Sequence, residues 1–254
     1  MRALRGPYEG VLQIVRFNWP MYLAAGILLL LGTAIVFLAP LPSFARIPMF
    51  AGLGLAGFWL ALSLLVSHYV YDRSPLYRGD WLTSTFPDSP SRYANLHVGL
   101  DEFSGILRSK FQRAEATTID FFDPVEMTEP SIRRARREHL ADLPASLPAD
   151  FRALPFPENE FDAAFLIFAA HELREPASRT RLLQEIRRVL QPDGKLLLVE
   201  HLRDFANFLA FGPGFVHFHS RAEWLHVIRD ANLAATQEFR CTPFVRVFLL
   251  EPKT

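Results

Sequence analysis

The apolar positions of this chain fall into two regimes. From Met21 to Ala45 no side chain is charged, and the run from Ile47 to Tyr71 is broken only by His68. At 1.5 Å per helical residue each run exceeds the roughly 20 residues that a hydrocarbon core of about 30 Å requires. The pattern predicts transmembrane helices over about 21–39 and 49–69, joined by a turn from Pro40 to Arg46 that is rich in helix breakers and too short to hold a domain. Beyond residue 91 the pattern changes to short apolar runs alternating with helical periods. Strands are expected at Tyr93–Val98, Ala116–Phe122, Phe161–Phe168 and Lys195–Val199, with a weak one before Leu154 and a closing hairpin at Ala234–Arg240 and Phe244–Leu250. Helices are expected at about 102–111, Glu129–Leu140, from a Ser178 cap to Leu190, and from a Ser220/Glu223 capping box to about Ala231. Strands alternating with helices predict an α/β fold, an open and mostly parallel sheet with helices on both faces. The domain plan is therefore 1–71 for the N-terminal segment and two spans, 72–91 for a linker lying along the membrane surface, and 92–254 for the α/β domain.

Charge sets the orientation. Arg2, Arg5 and Arg16 precede the first span and Arg73 and Arg78 follow the second, whereas the turn holds only Arg46. Basic residues stay on the cytoplasmic side, so both termini and the α/β domain are expected in the cytoplasm, beneath an inner or cytoplasmic membrane. A cleaved signal peptide fits less well, because the apolar run is too long for one and a second span follows. Gly52, Gly54 and Gly57 offer close helix approach, within the hairpin or toward other membrane proteins. The chain carries 27 basic and 27 acidic residues, so no global positive field attracts nucleic acid. Cys241 is the only cysteine, which excludes an intrachain disulfide and a cysteine-built metal or cluster site.

Two runs carry a family likeness. Leu154-Pro155-Phe156-Pro157-Glu158-Asn159-Glu160-Phe161-Asp162 resembles the segment that precedes the fourth strand of class I S-adenosylmethionine-dependent methyltransferases. Glu185-Ile186-Arg187-Arg188-Val189-Leu190-Gln191-Pro192-Asp193-Gly194-Lys195 resembles, at the family's spacing, its helix end and turn. The resemblance is to the type 11-like branch and runs from about Tyr93 to the C-terminus. It implies a Rossmann-like, seven-stranded sheet with an antiparallel last strand, S-adenosylmethionine as cofactor, and a quinone precursor, lipid or small metabolite as acceptor.

Carried back along the chain, the likeness puts the cofactor loop at Asn95–Gly105. Gly99 matches the first of the family's three alternating glycines, but Asp101 and Phe103 stand at the other two, and His97 replaces the usual acid at the strand end. Asp101 and Glu102 are then either ligands of the cofactor's ammonium group or caps of the next helix. The resemblance implies Asp120 as acceptor for the ribose hydroxyls, with Asp123 in reserve, and Asp150 and Phe151 as contacts of the adenine. His171 with Glu172, and Glu200 with His201, end the fourth and fifth strands, where ligands gather on such sheets. His217 and His219 lie in the Phe-rich stretch 205–219, expected to cover an apolar acceptor and to face the bilayer. Singly, each of His171, His201, His217 and His219 reads as structural; grouped around one mouth, they are the candidate catalytic set. Glu200, His201, His217 and His219 have metal-ligand chemistry, but their separation makes no ligand motif and no metal is assigned.

Two functions follow. The leading one is a membrane-anchored methyltransferase acting on a quinone, isoprenoid or lipid. The other, which the altered glycine loop supports, is a methyltransferase-fold accessory or assembly subunit of a membrane complex that no longer catalyses.

Overall fold

The computed structural model describes residues 6–139 and 146–253. Helix α1 (Glu9–Phe17) leads into two long apolar helices, α2 (Trp19–Leu38) and α3 (Ser43–His68). Both are long and apolar enough to cross a membrane. Helix α3 begins earlier than the sequence pattern suggests, with Pro48 inside it. Pro48 sits in its second turn, where it removes the backbone bond to the carbonyl of Phe44. The close packing position is Gly32 of α2, where an added Cβ would meet the Leu53 side chain, while Gly52, Gly54 and Gly57 have no such neighbour.

A π-helical turn (Tyr69–Arg73), a 3₁₀ turn (Pro75–Arg78) and α4 (Asp80–Thr85) connect the hairpin to the sheet. This connection is not a surface linker. Leu76, Leu82 and Phe86 are buried against Phe165, Leu197 and Leu249 of the sheet, so three isolated apolar side chains anchor a segment without any period.

The α/β part runs β1 (Arg92–His97), α5 (Ser104–Lys110), β2 (Glu115–Asp120), α6 (Pro130–His139), β3 (Leu147–Pro148), β4 (Phe161–Ile167), α7 (Pro176–Val189), β5 (Leu190–His201), α8 (Phe205–Phe211), α9 (Arg221–Asp230), β6 (Leu233–Thr242) and β7 (Val245–Pro252). The expected end of α6 at Leu140 lies outside the described residues. The seven strands are ordered β3-β2-β1-β4-β5-β7-β6. All pairs are parallel except β5–β7 and β6–β7. The antiparallel strand is thus β7, inserted between β5 and β6, so the terminal hairpin wraps inward before it forms the edge.

One face of the sheet is covered by α7 and α9 through Leu182, Leu183, Ile186, Trp224 and Val227. The other carries α4, α5 and the end of α3. Being covered on both sides is why β4 and β5 read as continuous apolar runs. The capping box of α9 is present: Ser220 Oγ accepts from the Glu223 amide at 3.2 Å, and Glu223 Oε2 accepts from the Ser220 amide at 2.7 Å. Helix α7 instead begins at Pro176, and Ser178 within its first turn donates to Glu126 Oε2. Chain order reverses between β1 and β4, and their carboxyl ends open toward the apolar helices.

Candidate active site

A cavity of about 880 Å3 lies between the carboxyl edge of the sheet and α1, α2 and α3. Its floor is the β1 loop from Asn95 to Phe103 with Phe168, His171, Glu172 and His201. One wall is a stripe of α3, from Gly52 through Ala56, Leu60 and Ser63 to Ser67. At 1.5 Å per residue that stripe extends about 23 Å along the helix. Helix α1 closes another side with Gly10, Gln13, Ile14 and Phe17. It is held there by Asp72, whose carboxylate accepts the amides of Gly10 (2.6 Å) and Val11 (3.0 Å) and the ring N–H of His68 (2.9 Å).

The histidines have different places. His171 follows β4, and Glu200 at the end of β5 grips it twice, accepting its amide at 3.2 Å and its Nδ1–H at 2.8 Å. Its Nε2 faces Glu172 Oε1 at 3.5 Å. Burial alone would push the His171 pKa down, but Glu200 and Glu172 outweigh it and hold it at about 10, so the ring is an imidazolium at neutral pH. His217 packs edge to face on His171, with ring centroids 5.4 Å apart. Burial, with the His171 charge, lowers its pKa to about 4. Arg174 clamps this pair, donating to the carbonyls of His217 (2.7 Å) and His171 (3.3 Å).

His201 also reaches the cavity, but as a neutral hub. Its Nδ1–H donates to the Phe244 carbonyl, its Nε2 accepts from Tyr71 Oη at 2.8 Å, and its ring stacks between Phe168 and Phe218. Burial sets its pKa at about 4. Phe168 takes a left-handed φ of 51° to make that stack, strain of the kind that functional sites retain. His219 is turned away from the chamber: it accepts from buried Arg179 at 2.9 Å and packs on Trp224. Burial and then Arg179 lower its pKa to about 3, a packing role rather than a chemical one.

The Phe-rich stretch divides likewise. Phe211 and Phe218 line the chamber. Phe208 packs on Trp59 of α3, and Phe205, Leu209 and Val216 are exposed on the outside.

At the expected cofactor loop, Gly99 has φ 101° and its amide donates to His97 Nδ1. Asp101 is a cap, accepting the amides of Phe103 and Ser104 at the start of α5. Glu102 accepts from Tyr77 Oη at 2.6 Å. Asp120 ends β2 at the expected place, but Arg136 of α6 donates to it at 2.9 Å and lies over the Phe122 ring, 4.1 Å from its centroid. A Cβ on Gly99 would collide with the same guanidinium. Asp120 and Phe122 are an acceptor and an aromatic face of the kinds that a ribose and a purine use, and Arg136 occupies both. Asp123 is a turn residue, accepting the amides of Val125 and Glu126 and pairing with Arg152. Asp150 is half-exposed and paired with Arg152, and Phe151 is buried in the core beneath that guanidinium; like Asp120 and Phe122, neither lines the chamber.

Sequence reasoning did not single out Arg136, Trp59, Tyr71 or α1. The one available signal was Phe122 beside Asp120.

Residues 98–198 match the family model described as a methyltransferase domain. Over 112 residues the chain is 32% identical to the demethylmenaquinone methyltransferase of Thermus thermophilus, a match covering 44% of this chain and 48% of the relative. Over 121 residues it is 29% identical to the ubiquinone/menaquinone biosynthesis C-methyltransferase UbiE of a Ruegeria species, covering 48% and 45%. The chain spans about half the length of these curated relatives. Among solved structures, a SAM dependent methyltransferase from Aquifex aeolicus superposes with a TM-score of 0.53 at 18% identity, over 71% of this chain and 94% of the other. Human N-acetylserotonin methyltransferase in complex with SAM gives 0.56 at 15% identity, over 98% of this chain and 72% of the other. These likenesses establish the Rossmann-like methyltransferase fold.

Proposed function

We propose that the methyltransferase domain carried by this chain is anchored in a membrane by α2 and α3 and transfers a methyl group from S-adenosylmethionine to an apolar acceptor, a quinone, isoprenoid or lipid. The observation that carries the reading is the continuity of the chamber. It runs from the polar trio His171, Glu172 and His217 to Gly52, well inside the second apolar helix. A ligand with a polar head and a hydrocarbon tail fits that gradient, and a tail along α3 never crosses water. The quinone substrates named for the two relatives have this shape.

When bound, S-adenosylmethionine supplies an electrophilic methyl on a sulfonium. Asp120 and Phe122 would hold its nucleoside, and the β1 loop faces the rest. The chain's own residues orient the acceptor and manage its proton. His217 is neutral at pH 7 and is placed to take a proton from an acceptor hydroxyl or acidic C–H. His171, kept protonated by Glu200 and Glu172, presents positive charge to the oxygen that becomes anionic. Phe168, Phe211 and Phe218 exclude water from the head-group end.

The test uses the full chain in lipid nanodiscs, S-adenosylmethionine labelled in its methyl group, and two phenolic acceptors that differ only in an isoprenoid tail. Transfer to the tailed acceptor with a KM at least tenfold lower is expected; equal KM values would remove the membrane-facing chamber from the argument. The second reading, an accessory subunit without catalysis, draws on Arg136 in the nucleoside site. It predicts no calorimetric binding of S-adenosylmethionine by the folded wild type.

A further inference from the structure

We infer that His171, Glu172 and His217 form a binding site for a divalent transition-metal ion at the head-group end of the chamber, with Glu200 orienting the first ligand. One ligand atom from each of the three lies within 4.8 Å of the others. Two imidazoles and one carboxylate are the donors of zinc and of non-haem iron sites that keep open positions for a substrate. Tetrahedral bonds of about 2.0–2.1 Å place ligand atoms about 3.3 Å apart, so small side-chain rotations complete the site. Histidine and carboxylate are adjacent on the 3₁₀ turn Ala170–Glu172, and the second imidazole arrives from the turn Gly212–His217.

Two further features point to a ligand. Glu172 is 7% exposed and lines the chamber, yet its Oε2 meets no hydrogen-bond partner among the described residues. A buried carboxylate oxygen left without a donor is costly unless a cation or ligand takes it. Metal-bound histidines characteristically give their other ring nitrogen to a buried carboxylate, which fixes the tautomer. Glu200, 1% exposed, accepts from His171 Nδ1 in that way, and the ion takes Nε2 by displacing the proton that the ring carries there in the metal-free chain. Glu129 Oε1, 3.8 Å from His217 Nδ1, stands beside the trio as a further carboxylate. An ion here would replace the His171 imidazolium as the positive charge at an oxygen of the acceptor's head group, with His217 then a ligand in place of a base, while the tail lies along α3.

The inference adds to the reading of the chamber as an acceptor site, and its test reads metal retention without any transfer reaction, so the two fail separately. The full chain, purified in detergent with its affinity tag removed, is stripped with chelator, reloaded with Zn2+ or Co2+, desalted and measured by elemental analysis and visible absorption. One ion per chain and cobalt d–d bands are expected for the wild type and for His226→Gln, which alters an exposed histidine on α9. Glu172→Gln, close in shape, and His217→Gln should each lower affinity at least tenfold. Glu200→Gln should lower it tenfold to a hundredfold through the ligand it orients. Circular dichroism verifies folding, with Glu172→Gln as the deciding variant if His217→Gln unfolds. A wild type that retains no stoichiometric ion, or a folded Glu172→Gln that retains it as well as the wild type does, overturns the site.

Discussion

The indole N–H of Trp59, about two-thirds of the way along α3, donates to the carbonyl of Leu209 on α8 at 3.1 Å. The same ring meets Phe208 edge to face and roofs Gly212, where an added Cβ would lie 3.1 Å from it. The apolar hairpin is therefore built into the cover of the chamber. Trp59→Phe removes the bond and keeps a ring, so it should cost about 0.5–1.5 kcal/mol. Trp59→Ala should cost about as much again through the lost aromatic pair. Thermal unfolding in detergent measures both; two variants as stable as the wild type would mean that α3 and α8 are not coupled.

Arg136 occupies Asp120, the carboxylate that the proposed cofactor site would use. A ligand that displaces it gives up a charge-assisted bond of about 1.5–3 kcal/mol, roughly one to two decades in affinity. Arg136→Ala should therefore tighten S-adenosylmethionine binding about tenfold, and Asp120→Ala should weaken it at least tenfold. Calorimetric titration distinguishes them, and an Arg136→Ala affinity equal to the wild type's would show that the side chain guards nothing.

Acid should loosen the fold before it unfolds the sheet. His201 and His219 have folded pKa values near 4 and 3, below the ordinary value of about 6.5. Between those values the unfolded chain binds protons that the folded chain refuses. Stability is therefore lost as pH falls from about 6.5 to 4, by up to about 1.4 kcal/mol per pH unit per group. His171 has the opposite sign: its raised pKa of about 10 gives stability that is complete below pH 6.5 and fades as pH climbs toward 10. The melting temperature should thus decline on both sides of neutrality. His201→Gln should flatten the acid limb, and an unchanged limb would contradict a neutral buried His201.

Phe211 lines the chamber whereas Phe205 is 72% exposed. Phe211→Ser should raise the KM for a tailed acceptor severalfold while leaving cofactor affinity nearly unchanged, and Phe205→Ser should leave this KM alone. The reverse pattern would move the entrance outside the cover.

The amides of Gly10 and Val11 bond to Asp72 across the whole hairpin, which is possible only if both ends of it emerge on one side. With the arginine asymmetry, this predicts that a reporter fused after residue 254 and one fused before residue 6 both read as cytoplasmic. A C-terminal reporter active outside the cytoplasm would overturn the topology.

What could be read from sequence was whatever announces itself within a few neighbours. Buried β4 and β5 declare themselves as apolar runs, and the Ser220–Glu223 box as a spacing of three. Helix α1 was missed because nine amphipathic residues beside a span look like its flank, and its partners Asp72 and Arg134 are far along the chain. The 72–91 segment read as a linker because Leu76, Leu82 and Phe86 bury themselves singly. At the site, His171 was legible by its position after a strand and His217 by its place in the Phe-rich stretch, but their meeting depends on Arg174 drawing two turns together. Asp150 pairs with Arg152, two residues on, a contact that no local pattern announces. Arg136 was hidden among neighbouring arginines, since a basic helix face ordinarily points to water.

Asp72 also fixes an order of events. Gly10 leaves the ribosome first, and its carboxylate partner is made 62 residues later, with both apolar helices in between. At about 5–20 residues per second, the amides of α1 wait on the order of 3–12 s for their acceptor. Helix α1 is thus satisfied only after both apolar helices have been made. A slowed second insertion would leave α1 as a free amphipathic helix on the membrane face, a ready handle for quality-control proteases.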